Sequence, residues 1–110
     1  MSRAYACIIS PNAREDAGIL SAIAYGFAYR IEMLGDGVLF DVSGLEKLVG
    51  DENKIAQNIV KELERNNIAG NVAVAETVET AMLLARENRG LSRTVEPAAF
   101  SQLPLRDLDI

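Results

Sequence analysis

Two carboxylates bracket the most turn-like stretch of the chain, Leu34-Gly35-Asp36-Gly37-Val38-Leu39-Phe40-Asp41-Val42-Ser43-Gly44. An acid between two glycines, then an apolar run, then a second acid and a Ser-Gly break, reads as a tight turn feeding a buried strand that ends at Ser43-Gly44. Asp36, at the mouth of that strand, is placed to ligate a hard cation such as magnesium, weakly for a lone carboxylate. Asp41 lies inside or at the end of the strand and needs a hydrogen-bonding partner, which the backbone near Ser43 can supply. The Asp36-Gly37 pair is also the ordinary signature of a hairpin between a strand ending near Met33 and one starting at Val38.

Other reactive side chains are scarce. Histidine is absent from the 110 residues, which removes the commonest general base and excludes zinc sites and His-dependent triads. The single cysteine, Cys7, sits in an apolar run and reads as a small core residue; with no second cysteine there is no intrachain disulfide, which fits a reducing, cytoplasmic setting. A net charge of −5 argues against strong nucleic-acid binding by the chain alone, because phosphate neutralisation by Lys and Arg drives such affinity. Arg86, Arg89 and Arg93 form a small basic run, but Glu87 and Glu96 interleave it, as on a solvated face. No stretch has the length of a membrane span, and no long apolar N-terminal segment suggests a signal peptide.

The elements that must position these groups follow from periodicity. Hydrophobic residues make up 49% of a chain with few aromatics and no Trp, which predicts one aliphatic-cored domain. Arg3 to Ser10 reads as a central strand, with Ser10 and Pro11 starting a helix over about 12–27 whose Ile19, Leu20, Ile23, Ala24 and Phe27 share a face. Tyr29 to Met33 alternates as a half-solvated strand, and the central stretch is its hairpin partner. A short turn at 45–49 precedes a helix capped by Asp51 and ended by Asn66, Asn67 and Gly70, with Ile55, Ile59, Val60 and Leu63 inward. Residues 71–75 form a small-residue strand, and Thr77 caps a third helix running to Glu87. The order β-α-β-β-α-β-α predicts an α+β fold: a ferredoxin-like βαββαβ antiparallel sheet with helices packed on one face. Residues 1–94 make the domain and 95–110 a C-terminal tail or linker.

From Asp36 to about Arg86, this order and the wording of the central stretch resemble the palm domain of Y-family translesion DNA polymerases, in particular the ImuB-like proteins of bacterial mutagenesis cassettes. The family's palm motif runs Ser-Ile-Asp-Glu-Ala-Phe-Leu-Asp-Val-Thr-Gly, against Leu34 to Gly44 here. A Leu48-Val49-Gly50 break, an amphipathic helix, the Val72-Ala73-Val74-Ala75 strand and an Ala/Leu-rich helix over 80–86 follow in the family's order. The resemblance implies a palm-type sheet. It also exposes what has been lost.

A palm polymerase needs carboxylates from the first strand and an Asp-Glu pair on the hairpin to hold two divalent cations. Asp36 matches that Asp, Gly37 replaces the Glu, and Tyr5 to Ser10 carries no acid. The family's triphosphate-binding lysine aligns with Val78, and the expectation is a palm without the family's fingers insertion after the first strand and without its thumb. The reading is therefore a catalytically inactive, palm-like module in DNA-damage tolerance, acting through protein or DNA contacts, with Asp36 a relic metal ligand and no required cofactor. Gln102-Leu103-Pro104-Leu105 is similar to peptides that enter the bacterial sliding clamp, so Gln102, Leu103 and Leu105 are candidate partner-binding residues, although Arg106 stands where an aromatic anchor belongs.

Two other functions fit parts of the pattern. Gly35 to Leu39 also looks like the second metal-binding strand of class III nucleotide cyclases, which implies metal-dependent nucleotidyl transfer but likewise requires a first-strand Asp. Alternatively, a bare βαββαβ sheet can self-associate into a homodimer through an exposed edge or face.

Overall fold

The computed structural model describes residues 3–87 and 91–93. Five strands, β1 (Tyr5–Ile9), β2 (Ile31–Leu34), β3 (Gly37–Asp41), β4 (Gly70–Ala75) and β5 (Leu91–Arg93), form one sheet in the order β2-β3-β1-β4-β5. Every neighbouring pair is antiparallel. The helices are α1 (Ala17–Tyr25), α2 (Glu52–Arg65) and α3 (Val78–Arg86), and a 3₁₀ turn covers Leu45–Lys47. The first six major elements are β-α-β-β-α-β with sheet order β2-β3-β1-β4, which is the expected ferredoxin-like arrangement. β5, too short to leave a periodic signal, adds a strand beside β4 and pairs Gly70 with Arg93.

β1 is the centre of the sheet and is apolar on both faces. Ala6 and Ile8 join Val38, Phe40 and Val72 on one face, where Leu20 and Ile23 of α1 and Ile55, Ile59 and Leu63 of α2 close the main core. Phe27, just beyond α1, stacks on Phe40 with ring centroids 6.2 Å apart. Cys7, Leu39, Ala73 and Ala75 point to the other face, which α3 covers with Ala81 and Ala85. The expectation that helices share one face thus holds for α1 and α2 but not for α3. The physical reason is the alternation of β1 and β4: both sets of side chains are apolar, and the second set is small enough for a helix to approach closely.

Local chemistry fixes the element ends. The Asp51 carboxylate accepts the Lys54 backbone N–H (3.0 Å) and caps α2; Thr77 Oγ1 accepts that of Thr80 (3.1 Å) and caps α3. α2 ends at Arg65 with Asn66 as its cap, and Asn67 just beyond takes a left-handed φ of 56°. There the Ile68 N–H donates to the Leu63 carbonyl (2.9 Å) and that of Asn67 to Glu64 (3.1 Å), a double-bonded terminus that buries Ile68. α1 begins at Ala17 rather than near Asn12. Residues 11–16 form successive turns, because Asn12, Arg14 and Glu15 are exposed and only Ala13 reaches the core, so no apolar face holds a helix there.

Candidate functional site

The β2–β3 hairpin closes through a two-residue turn, Gly35–Asp36, with Leu34 opposite Gly37. The turn lies one residue earlier than the Asp36-Gly37 signature predicts, and neither of its residues has a positive φ. Gly37 instead belongs to β3, where it faces Ile9 of β1. A Cβ there would lie 1.8 Å from the Ile8 carbonyl oxygen and 2.8 Å from its carbon. The glycine therefore serves close backbone approach, not turn geometry. No side chain fits where the palm motif carries its Glu.

Asp36 is held beside the end of β1, because the Ser10 backbone N–H donates to its carbonyl oxygen at 2.9 Å. Its carboxylate is taken by Arg86 at the end of α3: Nε donates to Oδ2 (2.8 Å) and Nη2 to Oδ1 (3.0 Å). Both side chains stay partly exposed, at 44% for Asp36 and 43% for Arg86. Hydrogen bonding from the guanidinium holds the Asp36 carboxyl below the usual carboxylate range. Asp36, expected as a weak magnesium ligand, is here one half of a two-point ion pair, and the guanidinium puts positive charge where a cation would sit. Among the described residues no three acids, cysteines or histidines cluster as a metal site. Arg86, read from the sequence as part of a solvated basic run, is the functional neighbour that periodicity missed.

Beneath the pair lies Cys7, fully buried, its thiol pushed up to about 12 by burial. It acts as a core residue, as its apolar setting suggests. Asp41 also takes the role expected of it: its Oδ1 accepts the Ser43 backbone N–H at 2.8 Å. Ser43 Oγ in turn accepts the Ala4 N–H at 2.9 Å, which ties the end of β3 to the entry of β1.

An open cleft of about 800 Å³ adjoins Asp36, lined by Ile9, Ser10, Pro11, Asn12, Ala13, Arg14, Glu15, Gly35 and Asn71. Its polar groups are of mixed charge, and the start of α3 lies elsewhere: Val78 lines a separate, smaller pocket with Tyr5 and Asp41. Arg93 stands in β5, whereas Arg89 and the candidate clamp-binding residues Gln102, Leu103 and Leu105 lie outside the described residues, as does the tail assigned to 95–110. Among the described residues no helix is long and apolar enough to cross a membrane. Compared with known proteins, the chain matches no family model, no curated protein and no solved structure.

Proposed function

We propose that this chain is a non-catalytic, palm-like module of the Y-family, ImuB-like type, serving DNA-damage tolerance in the bacterial cytoplasm through contacts with repair proteins or DNA. One observation carries the catalytic half of this reading. The hairpin acid that should help hold two metal ions is engaged by Arg86, and the adjoining position, Gly37, has no space for a second acid. Metal-assisted nucleotidyl transfer requires several carboxylates around the same ions. The cyclase-type alternative has the same requirement and meets the same deficit.

The palm half rests on the wording of residues 34–44 and on a sheet that places this hairpin next to the first strand. Any partner contact through Gln102, Leu103 and Leu105, the sliding clamp included, belongs to this same proposal. Primer extension with magnesium or manganese tests the first half: no template-dependent nucleotide addition is expected, and its appearance would overturn the reading. Deletion of the gene tests the second. Damage-induced mutation frequency should fall, and an unchanged frequency would remove the link to damage tolerance.

A further inference from the structure

We infer that the free edge of β2 pairs with β2 of a second copy, joining two five-stranded sheets around a twofold axis. β2 is an outer strand of the sheet, and its residues run Tyr29-Arg30-Ile31-Glu32-Met33 when the residues leading into it are included. Natural edge strands are usually blunted against pairing by a bulge, a proline or unmatched charge. This segment has no proline. Its two charges are of opposite sign and two residues apart.

Antiparallel self-pairing centred on Ile31 places Arg30 opposite the partner's Glu32 and Glu32 opposite the partner's Arg30. On the opposite face the two Ile31 side chains meet at the axis, and Met33 meets the partner's Tyr29 once pairing draws Tyr29, which stands at a bend before β2, into the strand. Sliding the centre by one residue, to Glu32, would set the two Glu32 carboxylates against each other, so charge selects the first register. The hydrogen-bonding pattern agrees. In a hairpin closed by two residues, Leu34 and Glu32 exchange bonds with Gly37 and Leu39, which turns the N–H and C=O groups of Ile31 and Met33 outward to the edge.

Exposure supports the same surface. Tyr29 is 100% exposed and Met33 is 42% exposed, an aromatic and a thioether of the kind that pack together across a strand pair. Arg30 and Glu32 are also exposed, and neither forms an ion pair among the described residues. The interface is isologous, so each charge pair occurs twice.

Sedimentation equilibrium of the full chain over a wide concentration range tests this independently of any polymerase assay. The expected result is a monomer–dimer equilibrium. Glu32→Arg, which leaves only arginines at positions 30 and 32, should weaken dimerisation by about tenfold or more, since two cross-strand pairs turn repulsive. The double exchange Arg30→Glu with Glu32→Arg restores opposite charges in the same register and should return the association to near the wild-type value. Circular dichroism of each variant checks that it is folded. A strict monomer at every concentration, a dimer indifferent to Glu32→Arg, or a failure of the folded double exchange to rescue would each overturn the proposal. So would a monomer whose Ile31 and Met33 amides are protected from hydrogen exchange, because the edge would then be covered by the chain itself.

Discussion

Arg86 and Asp36, 50 residues apart in the chain, meet through two parallel hydrogen bonds of 2.8 and 3.0 Å and so fasten the last turn of α3 to the β2–β3 turn. Two-point geometry fixes the guanidinium plane as well as its distance, which a lysine could not do. Arg86→Lys should therefore behave more like Arg86→Ala than like wild type when thermal melting is compared. Both substitutions should lower the melting temperature slightly, because the pair is exposed and screened by solvent.

The same pair gives a pH signature. The folded-state pKa of Asp36 is lowered, so its contribution to stability is complete above the ordinary carboxylate value and is lost as pH falls through the folded value. The difference in melting temperature between wild type and Asp36→Asn should be constant near neutrality and vanish in acid. A difference that grows on acidification would show that the pair is not what holds the carboxylate charged.

Gly37 and Gly18 offer a matched contrast. Gly37→Ala forces a methyl group into the Ile8 carbonyl and should cost about 3 kcal/mol in urea unfolding, through displacement of β3 from β1. Gly18→Ala meets nothing within 4 Å in the first turn of α1 and should stabilise by about 0.5 kcal/mol. Gly37→Glu, which restores the palm motif in sequence, should yield an unfolded or misfolded chain and no polymerase.

Cys7 should be inert to thiol reagents in the native protein at mildly alkaline pH and react fully once denatured. Its folded pKa of about 12 exceeds the ordinary value of 9.0. The folded state therefore keeps the proton longer than the unfolded one, and stability declines between those two pH values. Cys7→Ala should remove that part of the alkaline slope.

The two helix caps act locally and far apart in sequence. Asp51→Ala and Thr77→Ala should each cost about 1 kcal/mol in urea unfolding, and the double variant about the sum.

How much of this was written in the sequence depends on the range of the interaction. Asp51, Thr77 and the Asn66-Asn67 stop act within a few residues and were readable, as was Asp41 turning back to Ser43. The ferredoxin-like order followed from the alternation of periods. The start of α1 is not legible, because Ser10-Pro11 is a good helix opening, yet the polar residues after it give no face to bury and the helix begins at Ala17. Gly37 reads as a turn residue in the sequence because a glycine's missing side chain signals freedom and close contact equally. Nothing local could pair Asp36 with Arg86, since only the docking of α3 on the second face of the sheet brings them together. That docking itself hinged on Ala73, Ala75, Ala81 and Ala85, whose small size is legible but whose choice of face is not.

The central place of β1 constrains the order of assembly. Tyr5 lies opposite Asp41 on one side and Ala75 on the other, so the first of these five strands in sequence is flanked on both sides only once residues 71–75 have been made. Until Ala75 has been made, the Ala-Cys-Ile-Ile segment of β1 keeps at least one row of its backbone groups open to other chains. β1 pairs Tyr5 with Ala75 and with Asp41, partners distant in sequence, and such non-local pairing slows folding relative to local contacts. Expression yield should therefore respond to translation speed and chaperone supply more than the stability of the finished domain would suggest.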